Sequence, residues 1–162
     1  MPGLLGRWIV SSVVRSALAL ETEAIDAYRA IRERLRASRS CDESLESSIC
    51  HLLEEEEEHR RVLGEVSAGR MSVEELERLV AGHVYPGFAS IRPLPAEDRP
   101  TWEPTLRAAL AQEEKTWIFY TNLRRMSRIP IVKRAFEVLA AMEYEHVAIL
   151  RRILDLPDPR LP

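Results

Sequence analysis

Two pairs of residues, Glu56 with His59 and Glu143 with His146, share one spacing, a carboxylate followed three positions later by an imidazole. On a helix that spacing stacks both side chains on one face, so an oxygen and a nitrogen donor can bind the same or adjacent metal ions. A lone glutamate precedes each pair, Glu21 the first and Glu113 the second, and each stands seven residues before a tyrosine, Tyr28 or Tyr120. The bare motif is weak: with 21 Glu and 4 His in 162 residues, chance supplies roughly half an E-x-x-H. His59 also follows five consecutive glutamates, Glu54 to Glu58. The signal is the joint order, Glu then E-x-x-H, twice.

The surrounding pattern shows where these residues lie. At the helical period, one stripe reads Val14, Leu18, Glu21, Ile25, Tyr28, Ile31, Leu35, and another reads Leu106, Leu110, Glu113, Trp117, Tyr120, Leu123. Each puts one glutamate into an otherwise apolar face. Two more stripes, Leu45, Ile49, Leu52, Glu56, His59, Leu63, Val66 and Val132, Phe136, Leu139, Glu143, His146, Ile149 or Leu150, Ile153, each insert a Glu and a His. Four buried carboxylates without compensation would repel one another at a large desolvation cost. Two divalent cations would cancel their charge.

Neighbouring groups compete less well. Glu55 stands four before His59, but its counterpart in the second half is Met142, which favours Glu56. Glu23, Glu114 and Glu145 fall off the stripes and read as surface charges, and His51 and His83 as surface or loop histidines. Tyr28 and Tyr120 are placed to hydrogen-bond a ligand carboxylate, the alternative being plain core packing. Trp117 reads as a large core residue near the site.

The elements that must position these residues follow from Pro and Gly. Neither occurs between Arg7 and Leu63, between Thr105 and Ile129, or between Ile131 and Leu156. The first stretch breaks at Ser38 to Glu43, where Ser40 and Glu43 have capping-box spacing. The expected elements are a helix over about 12–37, a second over about 41–67, a crossover over about 68–103 holding a short helix from Ser72 to Ala81 capped by Ser72, a third long helix over about 104–127, a fourth over about 130–154, and a tail over 156–162. No strand pattern is present. Two helical hairpins joined by one long connection describe an all-α four-helix bundle of ferritin-like connectivity, a single domain over 1–162. The halves repeat: Ala17-Leu18-Ala19-Leu20-Glu21 matches Ala109-Leu110-Ala111-Gln112-Glu113.

The segments Glu21 to Tyr28, Glu56 to His59, Glu113 with Tyr120, and Glu143 to His146 together resemble the rubrerythrin-like branch of the ferritin-like di-iron carboxylate superfamily. The resemblance covers all four main helices. It implies two Fe ions, with Mn or Zn as possible occupants, Glu21 and His59 being terminal ligands of one metal, Glu113 and His146 of the other, and Glu56 and Glu143 bridging them. It implies an oxidoreductase of peroxidase or ferroxidase type that reacts Fe(II) with O2 or H2O2 in an oxidative-stress or iron-redox role, an external electron donor, and a homodimer. Two features depart from rubrerythrin proper. The additional glutamate one turn after the ligand of the third helix is replaced by Thr116, and no rubredoxin module with its cysteines is expected. What remains is the six-ligand site of the wider superfamily.

Composition narrows the alternatives. The chain is 46% hydrophobic and 30% charged with a formal net charge of −3, and its basic residues are scattered, which argues against a nucleic-acid partner. Cys41 and Cys50 on one helix would be about 13 Å apart in rise, beyond disulfide reach, which suits a reducing cytoplasm. The apolar stretch before Arg15 lacks the features of a secretory signal, and no run approaches a membrane span, although Leu4 to Val14 would suit an interfacial segment. No phosphate loop, nucleophile elbow or Ser/His/Asp arrangement is present. Two other readings are a ferroxidase or iron-storage subunit of a larger assembly, and a metal-free structural or partner-binding bundle, for which the four in-stripe glutamates have no purpose.

Overall fold

The computed structural model describes residues 4–38, 43–82 and 88–158, with side chains described from residue 12 onward and residues 80–82 excepted. The Ser40 capping box, Cys41 and His83 lie outside the described residues. Among the described residues five helices are present: α1 Leu4–Ala37, α2 Glu43–Ser67, α3 Val73–Gly82, α4 Arg99–Met126 and α5 Pro130–Ile153, with a short 3-10 turn at Phe88–Ser90 before α4. Among the described residues there is no strand, and no helix is long and apolar enough to cross a membrane.

Two boundaries differ from the sequence expectation. Helix α1 begins at Leu4 rather than near residue 12, because nothing between Arg7 and Ser16 obliges the backbone to stop. Helix α4 begins at Arg99 rather than 104, with Pro100 in its first turn and Pro104 inside. Proline is readily accepted in a first turn, whereas at position 104 it lacks the N–H for the Pro100 carbonyl and sets its ring against that carbonyl, a cost the helix bears near its start. The short helix behaves as its sequence implies. The Ser72 hydroxyl accepts from the Glu75 backbone N–H at 3.2 Å and the Glu75 carboxylate accepts from the Ser72 N–H at 2.7 Å, a complete capping box.

Side-chain pairs fix the helix directions. Tyr28 reaches Glu113 and Tyr120 reaches Glu21, so moving seven residues back on α1 means moving seven forward on α4, and the two run antiparallel. By the same logic His59 beside Glu143 and His146 beside Glu56 set α2 antiparallel to α5. Arg29 bound to Glu57 and Arg36 bound to Glu46 close the first hairpin. Helices α2 and α4 therefore point the same way, and the chain between them must travel back along the bundle, which is the work of the crossover.

The crossover is part of the core. Ile91 and Leu94, together with Trp102 in the first turn of α4, belong to the buried cluster that holds Ile25, Leu35, Leu106 and Ile153, and the Leu94 N–H donates to the Ile153 carbonyl at 2.7 Å. Helix α3 places Leu76 against Val62, Val138 and Met142, covering α2 and α5. Inside the bundle, one apolar plug contains Ile25, Leu52, Leu110 and Ile149. A second contains Ala17, Leu63, Tyr120, Phe136 and Leu139. On every long helix of the bundle the polar residues of interest fall between the plugs, so a single charged layer is sealed above and below by hydrocarbon.

Candidate metal centre

Six residues form that layer: Glu21 from α1, Glu56 and His59 from α2, Glu113 from α4, and Glu143 and His146 from α5. All six are essentially inaccessible, none exposing more than 2% of its surface. Glu56, His59, Glu143 and His146 each offer a donor atom lying within 4.8 Å of the others. Glu21 and Glu113 flank this group. Nδ1 of His59 lies 2.9 Å from Glu143, 3.3 Å from Glu21 and 3.6 Å from Glu56. Nδ1 of His146 lies 2.9 Å from Glu56, 3.4 Å from Glu113 and 3.9 Å from Glu143. The two imidazoles stack, with centroids 5.0 Å apart and planes 13° from parallel. The arrangement is two-fold: each histidine meets one private glutamate and shares two.

The donors converge on common points rather than on one another. Nδ1 of both histidines, one oxygen each of Glu21 and Glu56, and both oxygens of Glu143 are buried without a hydrogen-bond partner of good geometry. Donors held about 2.1 Å from one ion in tetrahedral or octahedral geometry stand about 3.0–3.4 Å apart. Four of the six separations, 2.9–3.4 Å, fall at this spacing, and the two contacts within one helix, His59 to Glu56 and His146 to Glu143, are longer at 3.6 and 3.9 Å. A mixed imidazole and carboxylate set suits iron, manganese or zinc. The residues present therefore fit two divalent cations.

Burial raises the Glu21 carboxyl to about 7 against the opposing pull of His59, and burial with Glu56 and Glu113 nearby pushes Glu143 well above the usual range. For Glu56 burial also works upward, but its contacts with His146 and His59 outweigh it and hold the carboxyl low. Burial works to lower both histidines, yet the surrounding carboxylates raise them well above an ordinary imidazole. Without metal these groups favour holding protons, the positive charge that metal ions would replace.

The tyrosines act across the bundle. Tyr28 of α1 donates to Oε1 of Glu113 at 2.5 Å, and Tyr120 of α4 donates to Oε1 of Glu21. Neither reaches the glutamate of its own helix, seven residues and about 10 Å of rise away. Each hydroxyl holds the outer oxygen of a glutamate, leaving Oε2 beside the histidine. Burial and then the adjacent carboxylates raise both phenols well above their ordinary value.

The competing residues weighed from the sequence fall outside the layer. Glu55 is half-buried and off the cluster, and Glu23 is exposed. Glu114 and Glu145 are half-buried rather than freely solvated, and Glu114 pairs with Arg151 at 2.7 Å. His51 is half-buried on α2. Thr116 is buried one turn from Glu113 with its hydroxyl turned back to the Gln112 carbonyl at 3.1 Å, and the matching position on α1 is Ala24. No seventh carboxylate is supplied there.

The Rubrerythrin family model matches residues 105–160, the stretch carrying Glu113, Glu143 and His146, consistent with the rubrerythrin-like branch of the ferritin-like proteins. Glu21, Glu56 and His59 lie outside that stretch, and the geometry alone joins them to it. No curated protein and no solved structure gives a significant match to the chain.

Proposed function

We propose that this protein is a di-iron oxidoreductase in which Glu21 and His59 hold one ion, Glu113 and His146 the other, and Glu56 and Glu143 are shared between them. The observation that carries this reading is the two-fold contact pattern, each histidine nitrogen within 4 Å of one private and two shared carboxylates. Bound iron would supply two-electron chemistry with O2 or H2O2.

The chain's own residues do the rest. The four carboxylates match the charge of two divalent ions, so loading exchanges the protons held by the layer for metal charge in a site closed to water. Tyr28 and Tyr120 fix the outer oxygens of Glu113 and Glu21, and so orient the inner ones before any metal arrives. The two apolar plugs exclude bulk solvent, which strengthens every charge interaction between them.

The test is H2O2 consumption by iron-loaded protein with a reductant present, compared with Glu56→Ala treated identically. Faster turnover by the native protein is expected. Equal rates would remove the catalytic reading.

A further inference from the structure

The crossover, the last turns of α5 and the returning tail enclose a cleft of about 430 Å³, a size typical of small-molecule sites. Phe88, Arg151, Arg152, Asp155 and Asp158 line it. Most of its charges are already engaged. Arg151 donates to Glu114 at 2.7 Å and to the Pro157 carbonyl at 2.9 Å. Asp155 faces Arg99 at 3.5 Å, and Asp158 accepts from the Tyr144 hydroxyl. Arg152 is different. Its Nε donates to the Ile91 carbonyl at 3.0 Å and its guanidinium lies over the Phe88 ring, 5.3 Å from the centroid. No carboxylate pairs with it among the described residues. One planar face and two terminal nitrogens are left for a ligand, and a planar cation backed by an aromatic ring suits a planar, anionic partner.

Along α5 the wall of the cleft begins near the level of the charged layer. Ala148 and Arg151 on its wall are two and five residues beyond His146, about 3 and 8 Å along the helix axis. Tyr144, whose hydroxyl meets Asp158 of the cleft, follows Glu143 in the chain. Its ring packs 5.4 Å from that of Trp117, itself one turn beyond Glu113.

We infer that this cleft binds a planar aromatic anion, and that the molecule bound there is the reductant of the centre, with a reduced flavin phosphate as its chemical class. The reductant role rests on the proposed redox function; the binding does not. In the step, the reduced flavin loses two electrons and two protons and leaves as oxidised flavin. Two trivalent iron ions each accept one electron, and the protons pass to solvent.

The probe is flavin mononucleotide, titrated into iron-loaded protein and followed by quenching of its fluorescence. Saturable binding is expected, weakened about tenfold or more by Arg152→Gln, since a charge-assisted contact to the phosphate or ring is lost. Arg152→Lys keeps the charge without the planar fork and should also weaken it. Riboflavin, which lacks the phosphate, should bind less tightly than the nucleotide. Reduced flavin mononucleotide should reduce the oxidised centre more slowly in Arg152→Gln, whereas reduction by dithionite should be unchanged. Absence of saturable binding, or equal binding by the native protein and both variants, overturns the cleft assignment and leaves the metal centre intact if iron content is unchanged. Binding that depends on Arg152 with no reduction of a centre that dithionite does reduce overturns the reductant role. A centre that neither agent reduces overturns the proposed function instead.

Discussion

Replacing Tyr28 by phenylalanine removes one hydroxyl, and the structure says which half of the centre should feel it. Tyr28 shares α1 with Glu21, so proximity in sequence would assign its effect to the ion held by Glu21 and His59. Its hydroxyl, however, donates to Glu113, so the ion held by Glu113 and His146 should be the one weakened. A buried hydrogen bond to a charged acceptor contributes about 1.5–3 kcal/mol, which corresponds to about 10–100-fold in affinity, the range found when outer-shell partners of metal ligands are removed. Tyr120→Phe should weaken the Glu21 and His59 half by a similar factor. Anaerobic Co(II) titration by calorimetry gives the two stepwise affinities. Paramagnetically shifted proton resonances of His59 and His146 at one equivalent of metal show which half fills first. Tyr28→Phe should send the first ion to His59, and Tyr120→Phe should send it to His146. If Tyr28→Phe instead empties the His59 half, or leaves both affinities within twofold of the native protein, the crossed support is refuted.

Two further outcomes follow from the charged layer. Glu21, raised to about 7, and Glu143, His59 and His146, also raised, stabilise the metal-free fold fully only below their unfolded values and lose that contribution as pH climbs through their folded ones. Glu56, held low, acts in the opposite direction but only at acid pH. Chelated protein should therefore show a falling melting temperature from about pH 5 to pH 8, and iron-loaded protein a widening advantage over it as metal displaces those protons; a rise in the chelated series would contradict this. Glu55→Gln should keep its full metal content through gel filtration whereas Glu56→Gln should not, because Glu55 stands half-buried outside the cluster that Glu56 completes. Equal loss of metal in both would mean the register of α2 is misassigned.

The site was readable from sequence because it violates the rule that surrounds it. Leu52 and Leu63 on α2, or Leu139 and Ile149 on α5, set a stripe that only a buried residue can continue, and Glu56, His59, Glu143 and His146 continue it. The repeat between the halves then separated Glu56 from Glu55. The crossed tyrosine bonds were not readable. Spacing places Tyr28 and Glu21 on one face but carries no information about which glutamate of another helix comes level with the hydroxyl. Nor was the packing role of Ile91 and Leu94, since a Pro-rich connection shows no period from which burial can be inferred. The early start of α4 was hidden by a choice between prolines: Pro104 matches the usual N-terminal signal, but Pro100 fills that place.

Metal content per chain tests the central claim most directly. Untagged protein reconstituted anaerobically with Fe(II), freed of excess metal and measured by elemental analysis, should retain about two irons per chain, with Glu143→Ala retaining clearly fewer. Native protein that retains no iron, or a Glu143→Ala variant that retains as much as the native protein, would contradict the account.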